Sequence, residues 1–493
     1  MKTPTSLRHI FPTLLLACAL VACNAPADPE SIEPGAVLPA ADAGRQAIEM
    51  HIVPKVTILG DEASSLLDQL AAYEVPAVSI AVVRHGEIAW AQAYGTDVDP
   101  ESQFQAASLA KAVAAAGILA LARERGFDID ADLTGELGAF DLAAVNPQAR
   151  PVSLRMLLSH TAGATVRGFL GYPLGTPLPD TLGIVTGSER ANTPPVRIAF
   201  DPETPWRYSG GGYQIAQLWA EQASGEDFAA LMQRLVLDPV GMNSSSFALN
   251  WPDVAAEGGI ARAHGWNGEP IEGGWFLYPE QAAANLWSTP SDYARFLVAL
   301  MAAADGAQDA GIDPEIARLM TTAVSDGYGL GLATSIHLGE RRWAHSGSSE
   351  GYRSNQFALP DRGDAIVVMT NGKNAHHLIP DINRTAEIAY SWPHDPPRTE
   401  TRFAMPAERL ARIAGRYAAR GDDRPAIQLD VEGPDLRGIF GGLVHFRLVP
   451  IGADHFIDPV DGEEFVFALE DGVMTTHGGP NVLTRLPDEG AAE

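Results

Sequence analysis

A serine and a lysine three residues apart, Ser108 and Lys111, are the first groups in this chain that can do chemistry together. Residues three apart on a helix share a face, and their side chains meet. A serine hydroxyl is a weak nucleophile until a neighbouring base takes its proton. A lysine can be that base once burial lowers its pKa from about 10.4 towards neutrality, a shift of roughly three units or 4 kcal/mol. The neighbours Ala106, Ala107, Ala110, Ala112 and Val113 supply the apolar surroundings. A helix starting near Ser108 also favours negative charge at its N-terminal end. The chain has 24 serines and four lysines (Lys2, Lys55, Lys111, Lys373) in 493 residues. Chance then predicts about 0.2 Ser-x-x-Lys matches. The match falls on an apolar stretch where a lysine has no structural reason to sit, since an unpaired buried charge costs several kcal/mol.

Two further groups join the list of candidates. Tyr208-Ser209-Gly210 follows Trp206-Arg207 and precedes Gly211-Gly212-Tyr213. Glycines beside a tyrosine let the backbone approach a ligand closely. A phenol near ammonium groups releases its proton more readily and can shuttle it. His345-Ser346-Gly347-Ser348 follows the strand-like run Arg342 to Ala344. Small residues on a strand leave room for a substrate to lie alongside as an added strand, and a histidine exchanges protons near neutral pH. Taken singly, a tyrosine near glycines is usually a packed loop, and a lone histidine is usually structural. His376-His377 is the one His pair; no acidic ligand pattern accompanies it, and it reads as a surface loop after Asn371-Gly372. Gly210-Gly211-Gly212 lacks the spacing of a nucleotide loop. The expectation is an enzyme with no metal and no cofactor.

These groups need elements to position them. Ala110 to Ala122 is apolar nearly all round, as in a buried helix, with Gly126 where a C-cap would fall. Asp61 to Tyr73 reads as a helix. Pro76 to Arg84 and Glu87 to Tyr94 read as strands around a His85-Gly86 turn. Mixed helices and loops continue to about Leu319, and residues 327–372 alternate strand-like runs with Gly-rich turns. Strands, then helices, then strands predict an α+β fold with an antiparallel sheet. Beyond Pro396-Pro397, short β-type runs separated by turn signals predict a small sandwich or barrel of about 90 residues, with Phe440, Phe446 and Phe456 as its core.

Composition bounds the function. The chain is 46% hydrophobic and 19% charged, which excludes a disordered protein. Its formal net charge of −28 argues against nucleic acid as a partner. At the N-terminus, Lys2 and Arg8 precede the apolar stretch Ile10 to Val21, too short to span a bilayer permanently. Cys18 and Cys23 are the only cysteines, so a chain cleaved before Cys23 has no disulfide. Residues 24–45, rich in Ala, Pro, Asp and Glu, suit a flexible tether.

Leu20-Val21-Ala22-Cys23 resembles the lipobox of bacterial lipoproteins, which implies lipidation of Cys23, a membrane anchor facing the periplasm and, with Asn24 following, the outer membrane. Ser-x-x-Lys, then the tyrosine about 100 residues on, then His-x-Gly about 135 further, resembles the serine β-lactamase and penicillin-binding-protein superfamily, in particular the class C β-lactamase-related branch of esterases, D-aminopeptidases and D-alanyl-D-alanine carboxypeptidases. Phe104-Gln-Ala-Ala-Ser108, Leu157-Leu-Ser-His-Thr-Ala-Gly163, Leu237-Asp-Pro-Val-Gly-Met242, Leu286-Trp-Ser-Thr-Pro-Ser-Asp292 and Tyr328-Gly-Leu-Gly331 match the same branch. The segment from Leu410 through Ala414-Gly-Arg-Tyr417 resembles, more loosely, a lipocalin-like β domain appended to some members.

The resemblance implies roles. Ser108 is the acylated nucleophile, and Lys111 and Tyr208 share proton transfer. The backbone N–H groups of Ser108 and Ser348 form the oxyanion hole. His345 and Ser346, with Gly347, hold a substrate carboxylate or assist the leaving group. Gly210 stands where other members carry an amide that binds the acyl side chain's carbonyl. Both Gly210 and His345 depart from true class C β-lactamases, which weighs against efficient β-lactam hydrolysis. His160 reads as a hydrogen-bonded packing residue. The expected organisation is a signal peptide over 1–23, a flexible linker over 24–58, a β-lactamase/transpeptidase-like domain with an all-helical subdomain over 59–395 and a small β-barrel domain over 400–493. The expected activity is hydrolysis of small esters, amides or D-amino-acid peptides through an acyl-enzyme. The alternatives are a true β-lactamase, a penicillin-binding carboxypeptidase or a non-catalytic envelope binding protein.

Overall fold

A computed structural model describes residues 40–201, 204–254, 259–419, 425–441, 444–468, 472–476 and 482–487. The signal peptide and Cys23 lie outside the described residues. Among those described, no helix is long and apolar enough to cross a membrane.

Order begins earlier than the composition suggests. Helix α1 (Ala40–Met50) and strand β1 (Val56–Leu59) occupy much of the stretch expected to be a flexible linker. The tether composition hid a helical spacing: Gly44, Ile48 and Ile52 are all buried, and at Gly44 a Cβ would meet the Tyr390 ring at 2.1 Å. Helix α2 (Leu66–Ala72) is shorter than the expected 61–73, because Ser65 and Asp68 close a reciprocal capping box at its start.

The central sheet is antiparallel. Its strands are β2 (Ala77–Arg84), β3 (Glu87–Gly95), β4 (Ala333–His337), β5 (Glu340–Ser349), β6 (Tyr352–Leu359) and β7 (Asp364–Thr370), in the spatial order β3-β2-β7-β6-β5-β4. Alternate residues face opposite sides. Ala81, Val83, Val367 and Met369 join the core beneath the helical region. Val78, Ile80, Val82, Ile366 and Val368 join a second core under α1, α2 and a long helix that runs from Ala375 to Ala389. Both faces are covered, which is why β2 and β7 read as continuous apolar runs.

Helix α3 (Ala110–Arg125) crosses the first core, buried on all sides except its last turns, and ends at Gly126 with φ 64°. Around it pack α4 (Gly210–Ser224), the short α5 (Gln281–Ala284) and α6 (Pro290–Ala304). The helix over Ala375–Ala389, called α7 here, carries His376 and His377 on its first turn, half-buried rather than on a surface loop. Tyr73 stacks on His377 and Trp266 meets His376 edge-on.

The chain then forms β8 (Arg398–Thr401), α8 (Ala407–Ile413) and a closed barrel of eight consecutive strands from Gly415 to Arg485. Its core includes Tyr417, Leu429, Leu436, Leu448 and Phe456. Phe446 packs against that core, but Phe440 is 53% exposed and is not part of it. The expected boundary cuts through a real junction: β1 pairs in parallel with β8, Val56 opposite Arg398. Val56 and Ile58 pack on Val449 and Ile457 of the barrel.

Candidate active site

The turn before α3 is held from several directions. Ala106 N donates to Leu286 O, Ser354 Oγ donates to Ala106 O and Tyr293 Oη donates to Leu109 O. Ala107 sits at φ 51°, a left-handed conformation that an alanine adopts at a cost of order 1–3 kcal/mol. The surrounding bonds over-determine it, and the result presents Ser108, half-exposed, at the head of the apolar helix.

One turn deeper, Lys111 is 2% exposed. Its Nζ donates to Ser108 Oγ at 3.0 Å and to the Ala283 carbonyl of α5 at 2.7 Å. The same nitrogen stands 5.1 Å from the centroid of the Tyr208 ring and 5.6 Å from that of Tyr213, within the range of a cation–π contact. Lys111 therefore brings together Ser108 and a tyrosine 100 residues further along the chain.

The Tyr208 loop is positioned by α4 and by His160. Ser209 caps α4, its Oγ accepting from Gly212 N and donating to Thr165 O. Ser209 N donates to His160 Nδ1 at 3.1 Å, and the His160 ring lies 4.4 Å from the Tyr208 ring. Burial, with Lys111 nearby, holds the His160 imidazole well below its ordinary pKa. It is a neutral packing residue, as its sequence context suggested.

Two site residues sit differently from expectation. Gly210 does not offer an open position: a Cβ there would meet Phe169 at 2.7 Å. The Phe169 ring fills the space that a side chain at position 210 would need. His345 is only 8% exposed and turned inward. Its Nδ1 lies 2.7 Å from Ser346 O and its Nε2 3.0 Å from Tyr328 Oη. A carbonyl accepts only, so Nδ1 carries the proton and the phenol of Tyr328 donates to Nε2. Burial, reinforced by Lys111, lowers the His345 pKa to about 4. A neutral imidazole with both nitrogens engaged cannot hold a carboxylate as a cation does.

Ser346 and Ser348 are exposed on β5, whose pairing with β4 stops at Ala344. Among the described residues no strand pairs with 345–349 on that side. Gly347 presses this stretch against the nucleophile turn: a Cβ would lie 2.2 Å from Ser354 Oγ and 2.5 Å from Ala106 O. Only glycine permits that approach.

Sequence reasoning missed Tyr328 as a partner of His345, Ala283 as the anchor of Lys111, and Phe169. Tyr328 lay in a matched motif, but no pattern signalled its contact; the missing side chain at Gly210 was the sole hint of Phe169. Among the described residues no group of three or more His, Cys, Asp or Glu is placed to hold a metal.

A serine hydroxyl, a buried lysine on the next helical turn and a tyrosine at its ring define a serine hydrolase of the β-lactamase and transpeptidase fold. The profile of the Beta-lactamase family matches residues 63–390, two thirds of the chain, and the chain belongs to that family. Esterase EstB of Burkholderia gladioli is 29% identical over 200 residues, 36% of this chain and 48% of EstB. The chain thus spans about half the length of EstB. Penicillin-binding protein 4* of Bacillus subtilis is 25% identical over 404 residues, 75% of this chain and 83% of that protein. Among solved structures, SurE with D-Leu has a TM-score of 0.53 at 20% identity, over 91% of this chain and 99% of that one, a likeness of fold.

Proposed function

We propose that this protein hydrolyses small esters or amides whose leaving side carries no carboxylate, through an acyl-enzyme on Ser108. The 3.0 Å contact between the Nζ of the buried Lys111 and Ser108 Oγ carries the reading. Ser108 Oγ attacks the substrate carbonyl, and its proton passes to the Lys111–Tyr208 pair. Backbone N–H groups at Ser108 and Ser348 receive the developing oxyanion. The pair returns a proton to the leaving alkoxide or amine as its bond to the carbonyl breaks. Water then attacks the acyl-enzyme by the same route and releases the acid. Neutral His345 favours uncharged leaving groups over peptides ending in a free carboxylate, and an esterase relative supports the same choice.

The test is intact-mass detection of adducts across p-nitrophenyl esters, D-amino-acid amides, D-Ala-D-Ala peptides and penicillins. Ester turnover with a transient adduct, absent in Ser108→Ala, is expected. Lys111→Ala should lower kcat by about 10²–10⁴. Carboxypeptidase turnover exceeding ester turnover would overturn the substrate class.

We also place the enzyme in the bacterial cell envelope, anchored by lipid on Cys23, on the strength of Leu20-Val21-Ala22-Cys23 after a short apolar stretch. Metabolic labelling with a fatty acid, lost in Cys23→Ala, checks this.

A further inference from the structure

At the mouth of the C-terminal barrel where residues 458–463 join two of its strands, an open cavity of about 450 Å³ is found, within the range of small-molecule sites, about 300–1,000 Å³. Its wall is apolar, with Ile427, Phe446, Phe465 and Met474, while Asp458, Asp461 and Glu463 stand on one side. His377 of the catalytic domain also lines it, its Nε2 buried and without a hydrogen-bond partner. The site is thus shared between the two domains and lies apart from Ser108.

Two nearby guanidinium groups are paired elsewhere, and the ammonium at the cluster, that of Lys55, is bound to a backbone carbonyl rather than to a carboxylate. Lys55 Nζ donates to the backbone carbonyl of Asp461, Arg384 pairs with Asp381, and Arg447 pairs with Asp61 and Asp435. Among the described residues none of the carboxylates of Asp458, Asp461 and Glu463 has an ion pair. Asp458 is 3% exposed and accepts from Val460 N through Oδ1. We propose that this cup binds an amphipathic cation, with an apolar body in the barrel mouth and an ammonium head against Asp458 and Glu463. The apolar wall gains contacts that a void cannot supply, and the ammonium supplies the missing counter-charge. Burial and the neighbouring carboxylates of Asp461, Asp381 and Glu463 raise Asp458 to about 7.

The test titrates the full chain by calorimetry at pH 8 with decylammonium, decanoate and 1-decanol, each below aggregation. Decylammonium should bind roughly tenfold tighter than either analogue. Met474→Trp, which fills the cup, should abolish binding, and Asp458→Asn with Glu463→Gln should make the three ligands equivalent. Cooperative thermal melting verifies that each variant folds, and the exposed Glu463→Gln alone serves if the others do not. Equal binding of decanoate or decanol, decylammonium binding that survives Met474→Trp in a folded protein, or no binding at all overturns the proposal.

Discussion

His345 shows how a tertiary neighbour changes what a residue can do. The side chain was read as a substrate-facing group, yet Tyr328 donates to its Nε2 and Ser346 O takes its Nδ1 proton. Tyr328→Phe leaves that nitrogen buried without a donor, which costs about 1–3 kcal/mol. Stability and kcat should both fall, read by denaturant melts and ester kinetics. The pKa of about 4 also has a sign. The unfolded imidazole takes a proton near 6.5 and the folded one does not, so this group's contribution to stability is present above pH 6.5 and is lost as pH falls towards 4. Urea melts across that window check it. Gly347→Ala forces β5 away from the Ala106–Ala107 turn, so acylation of Ser108 should fall steeply while residues remote from the site keep their packing.

At the level of elements, α3 is packed so closely that the backbone approaching it at Gly331 has no room for a side chain. Gly331, at φ 100°, would bring a Cβ to 2.8 Å from Ala115 Cβ and 3.0 Å from Ala112 Cα. The first turn of α6 is tied by Asp292, which is 1% exposed and accepts from Ser244 N at 2.7 Å and Ser245 Oγ at 2.8 Å. Asp292→Ala strands these donors, and a loss of about 2–3 kcal/mol is expected in equilibrium unfolding. The alternation of strands and the buried helix were both visible in the sequence, because period and apolar run length report burial directly. The order of α1 was not. Its alanines and charges resemble a tether until Tyr390 and the second core are in place.

Across the whole molecule, the catalytic domain and barrel are joined by a β1–β8 ribbon and by Arg402 and Arg447, which both bind Asp61 and Asp435. Asp458 opposes this seam. Its carboxyl is raised to about 7 by burial and by Asp461 and Asp381, so the folded protein loses stability as pH rises from about 4 to 7. Asp458→Asn removes that penalty. Its melting temperature should exceed wild type by a few degrees at pH 8, with no gain at pH 4.

Local chemistry reaches a long way in this chain. The Ser-x-x-Lys spacing needs only one helical turn to bring its two groups together, and apolar periodicity needs only the backbone. The antiparallel sheet, the buried helix and the barrel's short strands were legible for that reason. Contacts between distant segments obey no such local rule. Tyr208 against Lys111, Tyr328 on His345, Phe169 over Gly210 and His377 at the barrel mouth each follow from how whole elements pack, and packing is settled by shape and by buried hydrogen bonds that no spacing in the chain records.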